Sequence, residues 1–256
     1  MKKILILFML NIVIIFGGVQ VNYSPPTGKK EKEVKEWMIK NRVIEDLVDT
    51  VNQEIKIEEE LQVVVEVADK DSVYYSPEDR KIVISYDFIM EIRERFKDEY
   101  KKEWEIYAKD AIEHTFYHEL GHALVDLLDI PVLGKEEDAV DDFGIIMLIL
   151  TLEDGEERAI SAAELFFMEG LEVEEFTSED LMDEHSLDDQ RGYRSLNLVY
   201  GSNPEKYENI AEDLKMDEDM RLMAQEMFER QTINWLRLLK PYLKDGILLN
   251  TYKEFQ

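Results

Sequence analysis

Residues 118–122 read His118-Glu119-Leu120-Gly121-His122. Two histidines four positions apart on a helix project from nearly the same face, one turn apart, so both imidazoles can reach a single zinc ion at about 2.0–2.1 Å. Glu119 then stands beside the metal without ligating it, placed to take a proton from the zinc-bound water and deliver it to a leaving amine. That is the chemistry of peptide hydrolysis. A tetrahedral catalytic zinc needs three protein ligands plus water. The next helix opens with Glu136-Glu137-Asp138-Ala139-Val140-Asp141, where Glu137 and Asp141 share a face. Glu137 is the candidate third ligand, although Glu136 stands next to it. Asp141, one turn on, can accept the free N–H of a ligating imidazole and fix its tautomer.

A third histidine serving locally as ligand would need Gly three residues after the second His and another His three further on. Val125 and Leu128 hold those places. His185 is a more distant candidate ligand. His114 lies a turn before His118 and is rotated from it by about 40°. It has either a role beside the metal or substrate or that of a hydrogen-bonded structural histidine. Gly121 costs about 1 kcal/mol relative to alanine inside a helix, a cost that close packing of another element against the metal helix would justify.

The rest of the inventory narrows the chemistry. The 256 residues include four histidines and no cysteine. Disulfides, thiolate zinc sites and cysteine nucleophiles are therefore excluded, and a soft metal must be held by His and carboxylate. The net charge of −28 argues against nucleic acid and against anionic lipid as binding surfaces. Between residues 136 and 190 there are 20 acidic residues and a single base, Arg158. Solvated helix faces explain most of them, and the alternative is a field that attracts cations or basic substrates. The 45% hydrophobic content is enough for a folded core.

The elements that must position these groups read as α+β and mostly helical. Lys30 to Gln53 has helical spacing in Val34, Trp37, Met38, Ile44, Leu47, Val48 and Val51. Leu61 to Ala68 reads as a strand. Val73-Tyr74-Tyr75, a turn at Ser76-Pro77-Glu78-Asp79, and Lys81 to Tyr86 read as a hairpin, with Ile82 and Ile84 on one face of its second strand. After Asp87 the chain is nearly all helix: a metal helix over Glu105 to Leu128, and breaks at Pro131 and at Gly201-Ser202-Asn203-Pro204. The small sheet packs on the metal helix, and the C-terminal half is helical.

Residues 1–23 differ in kind. Lys2 and Lys3 precede an apolar run, Ile4 to Phe16, interrupted only by Asn11. This is the layout of a secretory signal, or of an uncleaved N-terminal membrane anchor if the apolar stretch is read through to Val21. Either places the rest outside the cytoplasm, secreted or attached to the cell envelope, with residues 24–256 as one metallopeptidase-like domain. Any membrane tether runs through this segment alone.

His118 to Phe143, with Tyr74-Tyr75-Ser76-Pro77-Glu78 before it and Asp183-Glu184-His185-Ser186-Leu187-Asp188-Asp189-Gln190-Arg191 after it, resembles a bacterial metallopeptidase family filed as a domain of unknown function. The resemblance runs from about Gln62 to Tyr207, and that family is similar to minimal gluzincins, which use a Glu third ligand. It implies one zinc ion on His118, His122 and Glu137, with Glu119 as base and a peptide or protein as substrate. It also implies that His185 and Arg191 face the metal across the cleft and stabilise the oxyanion of a tetrahedral intermediate, with Tyr193 a weaker candidate. By analogy, the strand Lys81 to Tyr86, with Ile82 and Ile84, would pair with an extended substrate. Relatives would carry cysteines near Ser85 and near Asn197, and this chain has none. The competing reading is a non-catalytic zinc-binding envelope protein acting as a sensor or partner-binding module.

Overall fold

The computed structural model describes residues 17–68, 72–173, 175–178 and 180–255. Among them, four strands form one mixed sheet: β1 (Gly18–Tyr23), β2 (Glu60–Glu66), β3 (Val73–Ser76) and β4 (Lys81–Ser85). Their order across the sheet is β1-β2-β4-β3. β1 and β4 run parallel to β2, whereas β3 is antiparallel to β4, with Tyr75 opposite Ile82. A parallel pair needs a crossover. Helices α1 (Lys29–Lys40) and α2 (Glu45–Glu54) supply it between β1 and β2.

The continuous helix expected over Lys30 to Gln53 is thus two helices. The Asn41 side chain donates to the Trp37 carbonyl at 2.9 Å and Arg42 has φ of 49°, so the chain turns there although the apolar spacing runs on. Strand β1 is the other departure. Val19, Val21 and Tyr23 alternate toward the core, and Val19 is 3% exposed. The leader expected to end at residue 23 therefore overlaps an edge strand, and its part before residue 17 lies outside the described residues. No helix among the described residues is long and apolar enough to cross a membrane.

Six longer helices and two short ones follow: α3 (Tyr86–Glu99), α4 (Trp104–Leu127), α5 (Glu136–Thr151), α6 (Gly155–Gly170), α7 (Asp188–Ser202), α8 (Glu208–Asp213), α9 (Glu218–Leu239) and α10 (Ile247–Glu254). The metal helix is α4. It has no clean polar face: Ala108, Ala111, Ile112, Phe116, Tyr117, Leu120, Ala123 and Leu124 are all buried around it. A helix buried on most sides belongs at the centre of a fold, and α4, which buries Asp110, Glu113, His114, His118 and Glu119 as well, is packed by α3, α5, α6 and the β3–β4 hairpin. This is why its histidines lie in the interior. Gly121 is where α5 comes closest. A Cβ there would lie 2.8 Å from Val140 Cβ, so only glycine admits the contact. The C-terminus is tied back to α2, since Glu54 accepts the Ile247 and Leu248 amides at 3.1 and 2.9 Å and so caps α10.

Two carboxyls inside the helical layer make stability depend on pH. Burial pushes Asp110 up to about 6, against the opposing Ser161 hydroxyl and Arg158, and burial with Asp188 nearby pushes Glu169 up to about 7. Both folded values lie above the unfolded ones. Between about pH 4 and 7 the folded state therefore binds more protons, and stability falls as pH rises through that window. Chelator-treated protein should melt at a higher temperature at pH 5 than at pH 7.5. Asp110→Asn with Glu169→Gln should reduce that difference, the remainder coming from Asp142, which burial also pushes up to about 6, and from His122. A pH profile unchanged by both substitutions would rule out these groups as its source.

Candidate metal centre

Helix α4 turns His118, Glu119 and His122 toward the N-terminal end of α5, which supplies Glu136, Glu137 and Asp141. His118 Nδ1 donates to Asp141 Oδ1 at 2.8 Å, and His122 Nδ1 donates to Glu136 Oε1 at 2.7 Å. A carboxylate only accepts, so each neutral imidazole carries its proton on Nδ1 and leaves a lone pair on Nε2. Those two Nε2 atoms lie 3.3 Å apart. The Glu137 carboxylate completes the group, with Oε2 at 3.2 Å from His118 Nε2 and Oε1 at 3.3 Å from His122 Nε2.

Such a group needs a positive charge among its members, a proton on a ring nitrogen or a metal ion. A tetrahedron with bonds of 2.0–2.1 Å has edges of about 3.3–3.4 Å, and the separations, taken to the two oxygens of the Glu137 carboxylate, are close to that edge. Glu137 Oε2 is also buried without a well-aligned hydrogen-bond donor. The residues therefore fit a metal ion, and among the described residues this triad is the group of His and acid side chains close enough to hold one. The electrostatics agree. Burial alone would depress His122, but its hydrogen bonds to Glu137 and Glu136 outweigh it and lift it to about 9. Glu137, despite burial, is held far below the usual carboxylate range by His118, His122 and His185.

Behind His118 stands a second layer of charge. Asp141 is 4% exposed and receives two hydrogen bonds from Arg191, Nε to Oδ2 at 2.7 Å and Nη2 to Oδ1 at 2.9 Å. The guanidinium lies over the Phe166 ring, 4.2 Å from its centroid. The same pairing repeats one position on, where Arg194 grips Asp142 at 2.5 and 2.6 Å. Arg191, expected from the resemblance to face the metal, spends its Nε and Nη2 donors on Asp141 and does not line the cleft over the triad. Its contact with the metal group runs through Asp141 and His118. Arg191→Met should therefore weaken metal binding about 10- to 100-fold, read by competition with a chromophoric chelator. A variant with wild-type metal affinity and reduced turnover would restore the oxyanion role.

The remaining expected residues separate. His185 does enter the cleft, with Nε2 3.1 Å from Glu137 Oε2 and Nδ1 3.1 Å from Asp183 Oδ1. Tyr193 does not. It is exposed and packs edge-on against Phe167 at 5.1 Å. His114 is a neutral core histidine pushed down to about 4 by burial, edge-on to Phe166. Ile82 and Ile84 are corrected as well. β4 lies between β2 and β3, both of its edges are paired, and both isoleucines are 0% exposed, so they belong to the core.

The free edge beside the metal site belongs to β3. The Tyr75 backbone amide lies by the Glu119 carboxylate and favours its charged form, and the Tyr75 hydroxyl donates to Asp126 Oδ2 at 2.7 Å. Glu119 itself is buried, and burial raises its proton affinity. A cleft of about 470 Å³ opens over this group, walled by β3, α4, the start of α5, and Glu184 with His185. Glu136 as the anchor of His122 and Arg191 as the partner of Asp141 escaped the sequence reading. Adjacent acids at 136–137 and 141–142, set against arginines three apart at 191 and 194, were the available signal.

A family model described as "Putative metallopeptidase" matches residues 23–239. No curated protein and no solved structure matches the chain.

Proposed function

The chain belongs to this metallopeptidase family, and from that premise we propose that it is a zinc-dependent peptidase with Glu119 as general base. The observation that carries the reading is the convergence of His118 Nε2, His122 Nε2 and the Glu137 carboxylate at tetrahedral-edge spacing. Two imidazoles and one carboxylate, with no thiolate, are a zinc donor set that leaves a fourth position for chemistry. When bound, zinc supplies Lewis-acid activation of water and of the scissile carbonyl.

The protein's own groups do the rest. Glu119 takes the proton of the attacking water and hands it to the leaving amine, and its raised proton affinity suits it to hold that proton between the two transfers. The Tyr75 amide keeps the carboxylate aimed. His185, across the cleft, would serve as the side-chain N–H donor for the developing oxyanion once the Glu137 carboxylate, which its Nε2 now faces at 3.1 Å, is engaged by a bound metal. The unpaired edge of β3 offers backbone donors and acceptors to an extended peptide. Lys2, Lys3 and the apolar run after them support a place outside the cytoplasm for this activity.

Metal analysis of protein prepared in excess zinc, followed by digestion of a peptide library with and without chelator, tests the reading. One zinc per chain and chelator-sensitive cleavage are expected. A chain that retains no zinc under these conditions would defeat it.

A further inference from the structure

The cleft contains acids beyond those the reaction uses. Its walls include Asp126, Glu136 and Glu184 in addition to Glu119 and Glu137, and among the described residues no lysine or arginine lines it. Asp126 is tied to the Tyr75 hydroxyl and Glu136 to His122. Glu184 is different. It is exposed at the rim and makes no hydrogen bond or ion pair with any other described residue. The nearest base along the chain on the α5 side, Lys135, is engaged elsewhere: its ammonium donates to the Asp183 and His185 carbonyls at 3.1 and 3.0 Å, which pins the segment that carries Glu184.

Two independent features favour a chain molecule as the occupant. Among the described residues β3 is an edge strand of the sheet, and the metal triad and Glu119 line the same cleft. A peptide laid along β3 sends alternate side chains to opposite sides. Glu184, Glu136 and the ring of Tyr74, 44% exposed, line this same cleft. An ammonium or guanidinium is the side-chain head that pairs with carboxylates and lies favourably over an aromatic ring.

We propose that this cleft selects substrates carrying a lysine or arginine beside the scissile bond, with Glu184 as the specificity-determining residue. The inference rests on the peptidase reading for the location of the scissile bond, but the charge preference is a property of the cleft itself. It gives the acidic stretch of residues 136–190 a function at one place, since a local field of one sign concentrates oppositely charged ligands in a salt-dependent way.

The test uses the full zinc-loaded chain and three peptides, identical except for Lys, Gln or Glu next to the central bond. Hydrolysis is read as kcat/KM and binding as fluorescence anisotropy, each at low and high salt. The Lys peptide is expected to lead the Gln peptide by about fivefold or more and the Glu peptide by more still, with both ratios shrinking at high salt. Glu184→Gln should narrow the Lys-to-Gln ratio by about two- to fivefold. Chelator-sensitive cleavage with equal rates for the three peptides would overturn the proposal while leaving the peptidase reading intact. So would a Lys preference that Glu184→Gln does not change. If no peptide is cut, anisotropy decides: Lys-selective binding reduced by Glu184→Gln sustains the proposal and counts against the peptidase reading, and equal binding removes both.

Discussion

Glu119→Gln should retain a full equivalent of metal and lose hydrolysis by about 10²- to 10⁴-fold, the range by which positioned proton transfer accelerates such reactions. The two halves of the expectation come from separate observations. Metal is retained because the ligating atoms are on His118, His122 and Glu137, and Glu119 is not among them. Glutamine is also nearly the same shape, so the packing of this buried position and its contact with the Tyr75 amide survive. Rate is lost because an amide cannot accept the proton of the attacking water, and the other cleft carboxylates do not replace it: Glu136 is committed to His122, Asp126 to Tyr75, and Glu184 stands exposed at the rim. Metal content and kcat/KM measured on the same preparation decide the matter. Wild-type turnover in the variant would remove Glu119 from the mechanism. Full metal with no activity in wild type and variant alike would favour the sensor or partner-binding module.

The candidate metal group was legible in the sequence, and so was much of its frame, for one physical reason. Ligands on a single helix obey helical spacing, so His118, Glu119 and His122 are read at sight, and the Gly121 contact follows from the cost of glycine there. The start of α5 is nearly as plain, because an acidic helix start facing the metal helix offers Glu137 and Asp141 in register. Contacts between distant elements are another matter. Whether Arg191 points at the metal or at Asp141 depends on how α7 packs on α5, and nothing local records that. Burial decided it: Asp141 is sealed from water, and its charge takes the nearest guanidinium as partner. Strand order is equally invisible. The hairpin was read correctly, but β2 pairs with its second strand and not its first, so the free edge passes to β3. β1 was hidden by an apolar leader pattern that runs on into the strand without a polar boundary.

The neighbouring acids at the start of α5 can be told apart by what each does to metal binding. Glu137→Ala should abolish it, with affinity falling by well over the 10- to 100-fold expected for loss of an outer partner. Removing Glu137 leaves two imidazole lone pairs 3.3 Å apart and no negative charge to balance a divalent ion in a half-buried site. Glu136→Gln removes only the acceptor at His122 Nδ1 and replaces it with a weaker one, so the loss should stay within that 10- to 100-fold range. Thermal shift gives a direct readout, because a ligand present at about 100 times its Kd stabilises the fold by about 2.7 kcal/mol. At such a zinc concentration the wild-type protein should gain that stabilisation, Glu136→Gln should gain part of it, and Glu137→Ala should gain none. The melting temperature without zinc provides the control. The Glu137 carboxylate lies among three histidine nitrogens that are partly protonated in the metal-free protein, and their attraction is lost with it. The alanine variant should therefore melt lower than wild type in chelator as well as failing to respond to zinc. A zinc response in Glu137→Ala equal to wild type, with Glu136→Gln unresponsive, would transfer the third ligand to Glu136 and force α5 to dock one residue out of its present register.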